Sequence, residues 1–338
     1  MRAVGYQQSL PIDSEASLLD IELPRPEPGP RDLVVEVKAV SVNPVDTKVR
    51  RRAVPEPGGY KVLGYDAAGI VRAVGSEASL FKPGDEVFYA GAITRQGTNA
   101  EFHAVDERLV GTKPARLSFE EAAALPLTTL TAWETLFDRL DVRKPVTGTA
   151  HALLIVGGAG GVGSIAIQLA RRLTDVTVIA TASRPETQDW CRALGAHHVV
   201  DHTKPLAEQV EALGIGAPDF VFSVTHTDTH FPEIAKIIAP QGRFALIDDP
   251  KDPIDISLLK SKSVSIHWES MFTRSTFQTA DMERQHEILN EAARLVDEGT
   301  IRTTLSEILG SINAANLKRA HAVIESNRAK GKIVLSGF

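Results

Sequence analysis

Apolar and polar positions fall into two regimes along the chain. From 1 to about 125 the pattern is short and alternating. In Leu33–Val42, Val35, Val37 and Ala39 alternate with Glu36 and Lys38, the period of a half-buried strand. Gly69–Val74 and Glu86–Tyr89 continue it, and Lys82-Pro83-Gly84-Asp85 reads as a turn. Short strands with frequent turns predict a small β-barrel, and Pro24–Pro30 an extended connector. Ser118 and Glu121 have capping-box spacing ahead of a helix through Ala124, and a second helix is expected from Thr129 to Leu140. From Ala152 strands at about 152–156, 176–181, 197–201, 219–224, 243–247 and 263–267 alternate with helical stretches. That alternation predicts a doubly wound α/β sheet ordered 3-2-1-4-5-6. Beyond Glu269 a charged amphipathic helix (Met282–Glu298), an Asn313-capped helix (Ala314–Ser326) and a strand (Lys332–Leu335) are expected to return to the first domain. The expected division is 1–126, 127–272 and 273–338.

The most informative stretch is Leu153–Arg171. An apolar run ends in Gly158-x-Gly160-x-x-Gly163, and Val162, Ile165, Ala166, Leu169 and Ala170 then recur at helical spacing. In this strand–turn–helix the first glycine permits the turn. The second lets backbone N–H groups approach a pyrophosphate, and the third lets the helix pack on the strand. The helix N-terminus adds unpaired donors and partial positive charge, so Gly158, Gly160, Gly161, Val162 and Gly163 are assigned to a dinucleotide.

Composition narrows the field. The chain has 338 residues, 43% hydrophobic and 24% charged, with a net charge of -6. No basic stripe suggests nucleic acid, and Arg50-Arg51-Arg52 reads as a solvated loop or part of an anion pocket. One cysteine, Cys191, excludes an internal disulfide and a multi-cysteine zinc site. Cys191 itself reads as a small core residue. The uncharged run Val146–Ala170 is phosphate loop rather than membrane span, and without a signal-like N-terminus a cytoplasmic location is the expectation.

These motifs resemble the medium-chain dehydrogenase/reductase superfamily, in its zinc-independent quinone oxidoreductase (zeta-crystallin-like) branch. The closest subgroup is often called zinc-type alcohol dehydrogenase-like. The resemblance rests on Gly160-Gly161-x-Gly163 with Gln168 and Arg171, Asn43-Pro44-Val45-Asp46, Gly64-Tyr65-Asp66-Ala67-Ala68-Gly69 and Leu130-Thr131-Ala132. It covers nearly the whole chain and implies a GroES-like barrel, a Rossmann domain and a C-terminal return. It further implies that Asn43 lies beside the nicotinamide, Thr131 touches the cofactor and His202 stands near the adenosine phosphate. Lys48 and Thr187 depart from residues common in relatives. Zinc-dependent relatives carry Cys and a His-Glu pair where this chain has Asn43 and Tyr65-Asp66, so no metal is expected.

Asn43 and Tyr65 are the candidate donors that polarise an acceptor oxygen. An Asx turn before Pro44 and a satisfied buried tyrosine are the structural alternatives. Asp46 reads as structural. His226, Asp228 and His230 follow the fourth strand, where capping competes with a ligand role. NAD-specific sites carry an acidic residue about twenty positions past the glycine motif. Here Ser183 and Arg184 stand instead, a pair suited to a 2′-phosphate, with Ser183 expected as helix N-cap. The resulting expectation is NADPH-dependent hydride transfer to a quinone or α,β-unsaturated carbonyl, by a homodimer that meets neither nucleic acid nor membrane. Zinc-free alcohol/aldehyde chemistry and a non-enzymatic cofactor-binding sensor or scaffold remain the alternatives.

Overall fold

The computed structural model describes residues 1–338. It divides into two compact units, Met1–Leu130 with Phe272–Phe338, and Thr131–Met271. The seam at Leu130 falls inside the helix Pro126–Trp133, where the expected division lay between 126 and 127.

The first unit is built on the strand Asp32–Val42, long enough to pair with three partners. Ala67–Val74 and Phe102–Asp106 lie antiparallel to it, and the C-terminal strand Lys332–Ser336 pairs with its end, Ile333 opposite Val42. The tail thus returns to the first unit through backbone hydrogen bonds. A separate three-stranded sheet joins Arg2–Tyr6 to Leu19–Glu22 and Lys61–Val62. Ser118 caps Phe119–Ala123, its hydroxyl accepting from Glu121 N while the Glu121 carboxylate accepts from Ser118 N. Asn313 Oδ1 likewise accepts from Asn316 N at the start of Ala314–Glu325. Arg50 corrects the solvated-loop reading. It is fully buried near the end of the helix Pro44–Arg52 and donates to Leu10 O and the Glu325 carboxylate.

In the second unit six parallel strands run in the order His198–Val200, Thr177–Thr181, Ala152–Val156, Phe220–Ser223, Arg243–Leu246, Ser265–Trp268. This is the 3-2-1-4-5-6 order read from the alternation. Ala152–Val156 and Phe220–Ser223 are buried at every position, as central parallel strands covered on both faces must be. Leu154, Val156, Val221, Phe231 and Phe244 form much of one core face. The expected Thr129–Leu140 helix differs: it opens at Pro126, and Glu134–Arg139 widens into a π turn, with Leu140 N donating to Thr135 O. Proline suits the first turn, where its missing N–H costs no helical bond.

Candidate active site and cofactor turn

In the first unit a buried polar cluster forms around Asn43. The residue caps Pro44–Arg52 from extended backbone, and Asn43 N donates to Asp46 Oδ2 at 2.8 Å. Asp46 Oδ1 accepts from Gly64 N at 2.9 Å, which ties the helix start to the Gly64-Tyr65-Asp66 turn. Burial pushes the Asp46 carboxyl up to about 7, against the pull of those two N–H groups and Lys332. Both Asp46 carboxylate oxygens are thus taken up by backbone N–H groups.

The Asn43 carboxamide is wholly enclosed. Its Nδ2 donates to Asp66 Oδ2 at 2.8 Å and its Oδ1 accepts from Lys332 Nζ. Lys332 Nζ also donates to Asp66 Oδ2 (3.0 Å) and Val42 O (3.2 Å), and Leu127 N donates to Asp66 Oδ1 (2.7 Å). Burial raises the Asp66 carboxyl; Lys332, Asn43 and Leu127 pull it back. Asn43 thus positions its neighbours, its polar atoms already engaged.

Tyr65 is the opposite case. Its ring is buried edge-on to Phe272, with centroids 5.5 Å apart, and its hydroxyl has no hydrogen-bond partner within the protein. Burial, and to a lesser degree Asp46 and Tyr6, hold that phenol well above the ordinary tyrosine value, so it stays a neutral donor. Thr129 Oγ1, on the helix Pro126–Trp133, is a second buried hydroxyl without a partner. Motif reading quoted Asp66 without giving it a role, and it passed over Lys332 and Thr129; for Lys332 a lysine opening an apolar strand was the one signal in the sequence.

This donor set does not suit zinc. The candidate ligands Asn43 and Asp66 already surround the Lys332 ammonium, and neither thiolate nor imidazole joins them.

In the second unit the glycine turn follows Ala152–Val156. The left-handed residue is Gly157 (φ +88°), one position before the motif, which corrects the role given to Gly158. A Cβ on Gly158 would lie 2.8 Å from Ala180 Cβ, and one on Gly163 only 2.3 Å from Gly157 O. Packing requires both glycines. At Gly160 a Cβ would meet only Gly157 O, at 3.6 Å, so the protein itself does not demand glycine there. Space left open at the N-cap of Gly161–Leu173, beside the first-turn N–H groups of Gly161, Val162 and Gly163, fits the close approach of a pyrophosphate.

Gly157 N donates to Thr181 Oγ1 at 3.0 Å, and that hydroxyl lies 3.1 Å from His202 Nδ1. The turn is thereby linked to the ends of the second and third strands. Ser183 and Arg184 follow the second strand, but the N-cap of Pro185–Leu194 is Arg184, not Ser183. Thr187 explains the shift, since its hydroxyl accepts from Arg184 N and donates to Arg184 O. Arg184 Nε sits 3.0 Å from Glu186 Oε1, and the side chain keeps about a third of its exposure (35%). Thr131, the first residue of this unit, is buried, and its carbonyl accepts from Thr135 Oγ1.

His226, Asp228 and His230 do not converge. His226 takes a left-handed conformation (φ +51°) at the start of Thr227–Ile237. The Asp228 carboxylate accepts from the N–H groups of Thr229 and Lys251. His230 instead faces His202, with ring centroids 6.0 Å apart. Cys191 is buried, its thiol pushed up to about 12 by that burial.

Known proteins match this architecture. Residues 29–132 fit the alcohol dehydrogenase GroES-like domain and residues 194–335 the zinc-binding dehydrogenase domain. A zinc-type alcohol dehydrogenase-like protein of Staphylococcus aureus is 38% identical over 99% of this chain and 100% of its own. A quinone oxidoreductase of Pseudomonas aeruginosa is 32% identical over 91% of this chain and 92% of its own. A crystal structure from Rhizobium etli, described as a candidate zinc-dependent alcohol dehydrogenase, is 67% identical with TM-score 0.98, covering 100% of this chain and 98% of that one. With both domain types present and relatives matched end to end, the chain belongs to the medium-chain dehydrogenase/reductase superfamily, in its zinc-type alcohol dehydrogenase-like branch.

Proposed function

We propose that this oxidoreductase uses NADPH to reduce quinones or α,β-unsaturated carbonyl compounds without zinc, and that it works in the cytoplasm as a homodimer. The observation that carries the catalytic half is the Tyr65 hydroxyl, buried and unpartnered. A buried donor left without an acceptor costs about 1–3 kcal/mol. A carbonyl or quinone oxygen placed against it would recover that cost, most of all as negative charge builds there. Bound NADPH would supply the hydride, while the protein orients the acceptor and polarises its oxygen. Tyr65, neutral across the physiological range, serves as hydrogen-bond donor rather than as proton source. The proton that completes the reduction comes from solvent.

Cofactor choice rests on the end of the second strand. Ser183 and Arg184 stand where a carboxylate would repel a 2′-phosphate, and a guanidinium can donate two hydrogen bonds to it. The similarity to a quinone oxidoreductase supports the acceptor class. The test is NADPH and NADH oxidation against a panel of quinones, enones and simple aldehydes, before and after chelation. Turnover of quinones or enones with NADPH, undiminished by chelator, is expected. Turnover of aldehydes alone, or activity lost with a stoichiometric metal, overturns the reading.

A further inference from the structure

The Tyr65 hydroxyl on which the proposed reaction relies is sealed: it has no partner, and the residue is 0% exposed. An acceptor oxygen reaches it only if a neighbouring side chain gives way. Tyr6, Asp46 and Phe272 are the candidates. Burial raises the Tyr65 phenol first, and Asp46 and Tyr6 are near enough to add to that. The Phe272 ring stands edge-on to Tyr65, with 74° between the planes and 5.5 Å between centroids. Tyr6 and Asp46 are held in place. Tyr6 is fully buried and donates to Ala53 O at 2.8 Å, and the two Asp46 oxygens accept from Asn43 N and Gly64 N. Phe272 has no polar side-chain anchor and is the most exposed of the three, at 9%. Moving its ring breaks packing and no hydrogen bond.

We propose that Phe272 gates the Tyr65 hydroxyl and thereby selects the acceptor by size: its ring swings out when an acceptor enters, and the acceptor takes its place against Tyr65. This rests on the reading of Tyr65 as donor to the acceptor oxygen and extends it.

The backbone under this ring is well held. Phe272 opens the segment that returns to the first unit, directly after Met271 ends the second. Its carbonyl accepts from Ser275 Oγ at 3.1 Å and from Thr276 N at 2.8 Å, which sets it at the N-cap of Thr273–Phe277. Arg274 pairs with Asp281 at 3.0 Å and ties that short helix to the chain beyond it. Opening is therefore a change of side-chain rotamer on a fixed backbone, not a loop movement. What enters is set by what leaves. An edge-to-face pair gains from the positive edge of one ring meeting the negative face of the other. A flat, single-ring acceptor fills the space of one phenyl group and restores much of that contact while its oxygen accepts from Tyr65. A fused polycyclic acceptor needs more room than the departing ring provides.

Hydroxyl-radical footprinting reads the cover directly, because it oxidises aromatic side chains that water reaches and needs neither cofactor nor turnover. Tyr65 is expected to label slowly in the native protein and several-fold faster in Phe272→Ala, while the fully buried Tyr89 stays protected in both. Steady-state kinetics with NADPH would then compare unsubstituted benzoquinone with a fused polycyclic quinone. Phe272→Ala is expected to raise kcat/KM for the polycyclic quinone relative to benzoquinone by about tenfold, chiefly through KM. A merely structural role would lower activity on both alike and leave their ratio unchanged. Phe272→Leu, which keeps most of the volume, should show both changes more weakly. If Tyr65 is as protected in Phe272→Ala as in the native protein, or labels faster with no change in the acceptor ratio, the inference falls and the reading of Tyr65 as donor stands on its own test. If the native protein turns over neither quinone nor enone, the functional reading fails and the inference with it. Should Phe272→Ala not fold, a Phe272→Leu protein that labels and discriminates as the native one does overturns the inference.

Discussion

Lys332 shows how much of the site depends on one side chain. Its ammonium is buried (3% exposed) and shared by Asp66, Asn43 and the Val42 carbonyl. Replacing it by methionine keeps the volume and strands the Asp66 carboxylate. Removing one partner of a buried pair costs about 3–5 kcal/mol. Without the ammonium, burial alone would raise the folded Asp66 carboxyl, so the folded state binds the extra proton. The deficit of Lys332→Met in urea unfolding should accordingly shrink as pH is lowered from about 8 to about 5; a deficit constant with pH would show that Asp66 is not the stranded group. Tyr65→Phe is the contrasting case. Loss of a single donor to a developing oxyanion should lower kcat/KM by roughly a hundredfold. Stability should hold or rise by about 1 kcal/mol, since the deleted hydroxyl has no partner to lose. Equal kcat/KM in Tyr65→Phe would remove it from the site. Both chemical candidates in this unit could be named from sequence because short motifs carry them. Their different standing could not, because Asn43 is engaged by a lysine 289 positions away, a proximity that no local pattern encodes.

At the scale of elements, the glycine turn separates packing from binding within six residues. Gly163→Ala would drive a methyl to 2.3 Å from Gly157 O, so the helix Gly161–Leu173 must shift off its strand. A loss of more than about 2 kcal/mol is expected. Gly160→Ala meets nothing closer than 3.6 Å and should melt as the native protein does, while binding NADPH and NADH at least tenfold more weakly, a loss of about 1.4 kcal/mol or more. A Gly160→Ala protein with native cofactor affinity would show that the open space is not used by a ligand. The parallel sheet was legible because period and length agree: apolar runs of strand length alternate with helical stretches, and right-handed crossovers leave few orders open. Caps were legible where side chain and spacing are both diagnostic, as at Ser118 and Asn313. The Arg184 cap was not, because Thr187, acting from inside the helix, moves the start one residue past Ser183. The π turn at Glu134–Arg139 has no local signature of its own.

At the scale of the whole molecule, the decisive feature is the last strand of the parallel sheet. Ser265–Trp268 pairs with Arg243–Leu246 on one side and ends the sheet on the other. One face of this strand is apolar, with Ile266 37% and Trp268 60% exposed, while Ser265 and His267 alternate with them. Beside it lies a cavity of about 450 Å³ whose walls include Phe231, Phe244, Ile254, Ile266 and Trp268. Phe272 packs on Tyr65, and Phe277 is 75% exposed. An edge strand is a template for another strand, and a self-complementary partner would be the same strand of a second copy, run antiparallel about a two-fold axis. Pairing would satisfy both rows of backbone groups and remove Ile266 and Trp268 from water. Burying what remains exposed of these two side chains contributes at most about 1.5–3 kcal/mol each. Light scattering at micromolar concentration should therefore give the mass of two chains. A lysine at Ile266 would place a charge in the seam, and Ile266→Lys should give the mass of one chain. Its melting temperature should also lose the concentration dependence that mass action imposes on a dimer. A native protein that scatters as one chain would refute the pairing outright. An Ile266→Lys protein that stays dimeric would move the interface elsewhere on the surface.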